Sequence, residues 1–231
     1  MNQSYQPATY PAASATVDER ASFITRTYNH LFFAIVGFAL FETALFQSGL
    51  AYPMAQAMLG VNWLFVLGGF MLVSWLASRT AFSAQSPLAQ YAALAGFVVA
   101  EGIIFVPILV IAESMQGGII QSAGIVTMLG FGGLTMVAFV TKRDFSFLRG
   151  FLMWGGILAL VFIAAGAIFG FSGGTFFSVL MVGFAGAAIL YDTSNVLHHF
   201  PTNKHVAASL QLFASVALMF WYVLRIFTSR D

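Results

Sequence analysis

Three carboxyl groups lie inside long apolar stretches of the chain, where an ionisable side chain is costly. They are Glu42, Glu101 and Asp192. Placing a charged group at the centre of a membrane helix costs roughly 2.5–3.5 kcal/mol, so each of these residues is expected to have a function or a partner. A carboxyl group in such a place binds a cation, relays a proton or pairs with a basic side chain.

Asp192 and Arg79 are predicted to lie at the same depth, each near the same end of its apolar stretch. A salt bridge between them would tie two helices together, and protonation of Asp192 would break it, which makes a switch. The alternative is that Arg79 extends to the membrane interface and Asp192 caps a helix end. Packing decides between the two, so the sequence leaves both open.

Glu101 is followed by Gly102 and, further on, by Pro107, and a proline within a span can free backbone carbonyl groups toward a cavity. Glu101 is therefore a candidate to line an ion path. The alternative is a protonated Glu101 that is hydrogen-bonded to a neighbouring helix. Glu42 is the second path candidate, and for Glu42 the structural alternative is favoured.

Three histidines, His198, His199 and His205, cluster near the last predicted loop. Their ordinary pKa near 6.5 makes them candidates for sensing pH, although most exposed loop histidines have no such role. No carboxylate or cysteine nearby completes a metal site with them.

The composition indicates the environment in which these residues lie. The chain has 231 residues, of which 60% are hydrophobic and 7% are charged, with a net charge of +1 and no cysteine. A soluble domain carries about 25% charged residues, so the chain is predicted to be an all-α integral membrane protein. The near-zero net charge argues against a nucleic-acid partner, and the absence of cysteine excludes disulfides and thiolate chemistry.

Seven apolar runs are each long enough to cross a bilayer, which takes roughly 20 residues of helix. Charges and Pro or Gly clusters separate them. A polar tail over residues 1–28, flexible at least to about Thr16, is predicted to precede a single membrane domain over residues 29–231. The predicted spans are residues 31–51, 59–78, 88–112, 118–141, 147–170, 174–196 and 205–228.

The lysine and arginine residues predict the orientation. With a cytoplasmic N-terminus, seven of the nine basic residues fall on the cytoplasmic side, and only Arg225 and Arg230 do not. Seven spans then place the C-terminus outside, whereas a last segment that dips in and returns would place it inside.

No catalytic constellation is found, so the protein is not expected to be an enzyme. Ser172 lies in a Gly-x-Ser-Gly sequence, but every histidine is predicted to lie near the opposite membrane face, so no Ser–His dyad forms. A Gly-rich turn is the better interpretation of residues 170–173. The two lysines, Lys142 and Lys204, lie in loops, which excludes a retinal Schiff base in the last span.

Four segments resemble the Bax inhibitor-1 family, and within it the bacterial YccA-like branch. The two most specific are TKRDFSFL at residues 141–148 and ILYDT at residues 189–193. Residues 23–28 resemble the family's entry to the first span. Residues 101–103, together with residues 107–109, resemble its third span. Only residues 1–20 lie outside the resemblance.

The resemblance implies six helices around a central seventh and, for some members, a pH-sensitive calcium leak. In those members two aspartates share a proton and an arginine latches onto the first of them. Asp192 matches the first aspartate, Arg79 is the candidate latch, and Ser215 stands where the second aspartate is expected. Ser215 is predicted to hydrogen-bond Asp192. Asp192 and Glu101 are the candidate contacts for calcium, with no firm metal site and no cofactor.

Two functions follow. The first is a calcium or cation leak in the inner membrane, gated at the cytoplasmic side by Asp192. The alternative is a non-conducting regulator of another membrane complex. The resemblance to the YccA-like branch implies the membrane-bound protease FtsH as the partner, contacted through the N-terminal tail.

Overall fold

The computed structural model describes residues 11–115 and 117–229, and over these ranges the fold is all-α. A 3-10 turn at Ala12–Ser14 precedes eight helices. The helices are α1 (Val17–Gln47), α2 (Ala51–Leu59), α3 (Trp63–Ser83), α4 (Pro87–Ser114), α5 (Ile119–Thr141), α6 (Leu148–Phe169), α7 (Gly174–His198) and α8 (His205–Thr228).

Every helix except α2 is long and apolar enough to cross a membrane. The prediction of a seven-span membrane protein is therefore confirmed, and the predicted bounds of α3 to α8 agree with the structure within about five residues. Large apolar side chains cover the outer surface of the bundle, among them Phe65, Val140 and Phe176, which suits contact with lipid.

The first helix begins earlier than predicted. A capping box at Thr16 starts α1, in which the Glu19 amide donates to the Thr16 hydroxyl and the Glu19 carboxylate accepts from the Thr16 amide. Residues 17–28 are therefore helical and continuous with α1, while the start of the membrane domain at residue 29 stays a prediction.

The flexible tail was also predicted to reach too far. Ala12 is buried, and its amide donates a 2.9 Å hydrogen bond to the carbonyl of Phe200, between α7 and α8. Residues 11–16 are thus packed against the bundle, and residues 1–10 lie outside the described residues.

The break predicted at Tyr52-Pro53 contains a short helix. Pro53 is the third residue of α2, within the first helical turn, where a proline costs little because the amides there have no partner within the helix. The pair therefore marks the start of a helix that does not span, and α3 begins later than predicted.

The last helix lies at the centre of the bundle. α8 packs against α1, α3, α4, α5 and α7. In its most apolar stretch 72% of the residues are buried, compared with 61% in the same kind of stretch of α4 and none in that of the peripheral α6. The predicted central C-terminal helix is confirmed. Any residue that faces α8 is consequently held away from lipid.

The two ends of the bundle differ in charge. α1, α4, α6 and α8 begin at one end, called here the basic end, which carries Arg79, Lys142 and Lys204. At the opposite end Gly170, with φ +74°, closes α6, as the predicted Gly-rich turn requires. The length of α7 separates Ser172 from His198, so the structure agrees with the exclusion of a dyad.

Candidate functional site

Asp192 is buried between α7 and α8, with 4% of its surface exposed. It lies six residues before the end of α7, which is about 9 Å from the basic end at 1.5 Å per residue. A carboxyl group enclosed in this way must find hydrogen-bond donors, since burial without them costs several kcal/mol.

Two side chains of α8 supply those donors. Gln211 Nε2 donates to Asp192 Oδ1 over 2.5 Å, and the Ser215 hydroxyl donates to Oδ2 over 2.5 Å. Gln211 and Ser215 are four residues apart, so they project from the same face of α8. The predicted bond from Ser215 is confirmed. Gln211 was missed, although a glutamine one turn before Ser215 in an apolar helix was a usable signal.

Arg79 does not reach Asp192, so the predicted ion pair is wrong. Arg79 is exposed, and its guanidinium carbon lies 5.3 Å from the centre of the Trp75 ring, a cation–π contact within its own helix. α3 packs chiefly along α4, and Arg79 is on its outward side. Both residues lie near the basic ends of their helices, but the direction of the side chain decides the contact.

Glu101 and Glu42 line two different cavities. Glu101 is buried at the wall of a cavity of about 470 Å³ between α3, α4, α6, α7 and α8. Glu42 is buried at the wall of a cavity of about 460 Å³ between α1, α4, α5 and α8. Neither cavity includes Asp192, so the structure does not join these three acids in one site.

Gly102 explains how the Glu42 side chain comes so close to α4. A Cβ atom at Gly102 would overlap the Phe41 ring and stand 3.3 Å from Glu42 Oε1. Because glycine has no side chain, α1 packs directly on the backbone of α4 at this level. Glu42 and Glu101 therefore lie near one depth, on different sides of α4.

The predicted histidine cluster is divided into separate contacts. His199 Nε2 lies 2.9 Å from Oδ2 of Asp144, in the loop before α6. His198 Nδ1 lies 3.0 Å from the carbonyl of Ser194 in its own helix. The His205 ring lies 5.0 Å from the ring of His30. The partners Asp144 and His30 come from distant segments, and no local pattern predicted them.

The loop of residues 142–147 is fastened to the end of α7. The Phe145 amide donates to the Ser194 hydroxyl over 2.9 Å, and the Ser146 amide donates to Asp144 Oδ1 over 2.9 Å. The Ser146 amide, with a smaller effect from His199, holds the pKa of Asp144 below its ordinary value of 3.8. Asp144 is thus an ionised anchor for this loop.

No metal site is assembled within the described ranges, where no group of three His, Cys, Asp or Glu side chains could hold an ion. The polar centre of the protein is instead the set of bonds that joins Asp192 to Gln211 and Ser215. Of these residues, Asp192 lies in the segment of residues 189–193, one of the two in which the family resemblance was most specific.

A family model described as inhibitor of apoptosis-promoting Bax1 matches residues 20–231. The chain belongs to the Bax inhibitor-1 family. The protein PA2604 of Pseudomonas aeruginosa is 30% identical over 227 residues, which cover 96% of each chain. Bax inhibitor 1 of Schizosaccharomyces pombe is 27% identical over 232 residues, which cover 94% of this chain and 80% of that protein.

A further relative carries a functional name. The modulator of FtsH protease YccA of Escherichia coli is 32% identical over 123 residues, which cover 47% of this chain and 53% of that protein. This member of the Bax inhibitor-1 family thus combines a seven-span bundle with a single buried aspartate at the contact between α7 and α8.

Proposed function

We propose that the protein is a leak pathway for cations, with calcium as the first candidate, and that the bonds from Asp192 to α8 close it. The observation that carries this proposal is the double hydrogen bond to Asp192 from Gln211 and Ser215. These bonds hold α7 against the central helix near the basic end, which we place at the cytoplasmic face by its lysine and arginine residues.

The arrangement of the cavities supports a gate at this level. On α8, residues 213–220 line the Glu42 cavity and residues 214–225 line the Glu101 cavity. Along α8, both cavities therefore lie beyond Gln211 on the side away from the basic end, while on α3 the Glu101 cavity also reaches Ser78. Glu101 and Glu42 would line separate routes along α8, and the Asp192 bonds would separate both routes from the cytoplasm.

The protonation of Asp192 provides a chemical means of opening. An ionised carboxylate accepts charge-assisted bonds from both donors, whereas a protonated carboxyl group keeps only neutral bonds, with the Ser215 hydroxyl able to accept instead of donate. The weaker neutral bonds loosen the attachment of α7 to α8. A single aspartate is then sufficient for the switch, without a second acid and without Arg79.

The histidines are proposed to adjust the same end of the bundle. His199 pairs with Asp144, so its charge affects how firmly the loop of residues 142–147 is held against α7. The His205 ring packs 5.0 Å from the His30 ring, which joins the start of α8 to α1. His198 bonds its own helix and would contribute least.

The direct test is calcium entry into dye-loaded liposomes that contain the purified protein, between about pH 6 and about pH 8. The proposal requires a flux above that of protein-free liposomes, with a dependence on pH. A flux equal to that of empty liposomes throughout this range would refute it.

A second function, regulation of a membrane-bound ATP-dependent protease, is favoured by the name of the Escherichia coli relative. We propose FtsH as the partner and the N-terminal tail as the contact. Because Ala12 is packed and Thr16 caps α1, the suitable variant deletes only residues 2–10. Slower or faster proteolysis of a membrane substrate by FtsH should require this tail and should be unaffected by Asp192→Asn.

A further inference from the structure

We infer that the groove between α5 and α7 binds an anionic phospholipid, whose phosphate lies at the basic residues of the segment between α5 and α6. This groove, called here the α5–α7 groove, has a volume of about 550 Å³, within the range of small-molecule sites, roughly 300–1,000 Å³. Met219 and Val223 of the central helix α8 form its floor. The inference depends neither on a cation leak nor on Asp192.

The walls of the α5–α7 groove suit acyl chains. Every described residue that lines it is apolar or glycine, so its side chains offer a polar ligand no hydrogen bond. Val126 on α5 and Gly183 on α7 line the groove and are both exposed on the outer surface of the bundle, so the groove opens toward lipid. Its occupant is therefore a chain that enters sideways from the membrane.

The α5–α7 groove also lies at a depth that the acyl chains of one leaflet reach. Its lining begins with Phe145, Phe147 and Leu148, at the basic end. On α7 it continues from Leu190 to Val182, which lie eight and sixteen residues before the end of that helix, or about 12 Å and about 24 Å from it. One leaflet contributes about 15 Å of hydrocarbon. A lipid of the nearer leaflet can thus place its chains in the groove while its headgroup stays at the basic end.

Three basic residues, Lys142, Arg143 and Arg149, lie at this end of the α5–α7 groove. Lys142 directly follows α5, which forms one wall, and Arg149 directly follows Leu148, which lines the groove. All three are exposed, and none forms an ion pair with a residue that the structure describes. Basic side chains beside an apolar groove complement a phosphate whose acyl chains lie in that groove.

One acidic residue, Asp144, lies in the same segment. Its carboxylate accepts a hydrogen bond from the Ser146 amide and lies 2.9 Å from Nε2 of His199, at the end of α7. These contacts partly compensate its charge, and the three basic residues outnumber it. The segment therefore keeps an excess of positive charge, which attracts an anionic headgroup.

The test is native mass spectrometry of the purified full-length protein in detergent, titrated with dioleoylphosphatidylglycerol. The wild type should retain this lipid saturably. Arg143→Gln/Arg149→Gln removes two exposed charges beside the groove and should weaken binding about tenfold or more. The matched control Arg26→Gln/Arg79→Gln removes two exposed arginines on α1 and α3, which do not line the groove, and should bind like the wild type.

A second pair of variants tests whether the acyl chains use the groove. Gly183→Leu fills it from α7. A Cβ atom at Gly183 would meet nothing within 4 Å, so this variant should fold and should lose binding. Gly132→Leu places the same side chain on α5 at an exposed glycine that does not line the groove, and it should bind like the wild type.

Two further ligands separate the contributions of the chains and the headgroup. Dioleoylphosphatidylcholine has the same chains without a net charge, and glycerol phosphate has the anionic headgroup without chains. Each should bind about tenfold or more weakly than the phosphatidylglycerol, because the site needs both parts.

Saturable binding of the phosphatidylglycerol that both Arg143→Gln/Arg149→Gln and Gly183→Leu weaken, and neither control weakens, would establish the site. Absence of binding in the wild type, or equal binding of the phosphatidylcholine, would overturn it. Weakening by the charge variant alone would show a basic surface that does not use the groove, which also overturns the inference. If Gly183→Leu fails to fold, the comparison with glycerol phosphate decides whether the chains contribute.

Discussion

The hydroxyl of Ser215 on α8 donates a 2.5 Å hydrogen bond to Oδ2 of Asp192 on α7. The resemblance to the Bax inhibitor-1 family implies a second aspartate at this place, and here a neutral donor occupies it. The contact between α7 and the central helix therefore depends on one carboxyl group and two neutral donors, Ser215 and Gln211. Both donors attract the Asp192 carboxylate, whereas a second ionised acid at the position of Ser215 would repel it.

Removing the Ser215 hydroxyl should destabilise the bundle. Ser215→Ala leaves Asp192 Oδ2 buried without a donor, which costs about 1–3 kcal/mol in the free energy of unfolding. Thermal unfolding in detergent measures the effect. The control is Ser209→Ala on the same helix, because the buried Ser209 hydroxyl bonds only the carbonyl of Val206 in α8. Equal unfolding temperatures for the two variants would contradict the role of Ser215.

The close packing of α1 on α4 should depend on Gly102. Gly102→Ala places a methyl group into the Phe41 ring and beside Glu42, and overpacking of this kind costs about 1–3 kcal/mol. Gly96→Ala, two turns earlier on α4, meets nothing within 4 Å and should stabilise the helix by about 0.5–1 kcal/mol. Thermal unfolding should therefore shift in opposite directions for the two variants, and shifts in the same direction would refute this account.

The anchor at Asp144 should depend on pH with a defined sign. Because its pKa is lowered in the folded protein, its contribution is complete above the ordinary value of 3.8 and is lost as the pH falls through the lowered value. Hydrogen-exchange protection of the Phe145 and Ser146 amides measures it. Protection should be lower in Asp144→Asn than in the wild type at about pH 6, and the difference should vanish on acidification.

His199→Gln is the matched variant for this anchor. It removes the contact between His199 and Asp144 but keeps the bond from the Ser146 amide, which is the larger cause of the lowered pKa of Asp144. Since exposed ion pairs contribute about 1 kcal/mol or less, its effect should be smaller than that of Asp144→Asn. A larger effect would show that the pair, and not the turn, holds the loop.

Arg79 should act independently of Asp192. The arginine lies over Trp75, so Arg79→Gln and Asp192→Asn should have additive effects on the free energy of unfolding, within about 0.5 kcal/mol. A double-mutant cycle provides the measurement. A coupling energy above about 1 kcal/mol would instead show that Arg79 and Asp192 interact, as in the predicted ion pair.

The span pattern could be predicted because charges and Gly or Pro clusters end most of the helices. Lys142 ends α5, and Gly170 ends α6, each with a left-handed backbone conformation. The start of α1 was missed because its first turns are polar, although Thr16 and Glu19 form a recognisable capping box. Hydropathy alone does not detect a helix that continues beyond the apolar run.

The site was predictable only in part. The family resemblance placed Ser215 opposite Asp192, and the structure confirms the hydrogen bond between them. The rotation of each helix about its own axis is set by packing, which the sequence does not show. This rotation directs Arg79 outward and places Glu42 and Glu101 in different cavities. Contacts between distant loops, such as that of Asp144 with His199, depend on the complete fold.

The measurement that tests the central claim most directly is calcium flux into liposomes for the wild type and Asp192→Asn, with Ser209→Ala as the control. Asparagine presents an amide group where the carboxylate accepted a second donor, so α7 should be held less firmly against α8. A higher flux is expected in Asp192→Asn, with a smaller dependence on pH between about pH 6 and about pH 8 than in the wild type, and Ser209→Ala should behave like the wild type. A flux through Asp192→Asn with the same size and pH dependence as the wild type would contradict this claim.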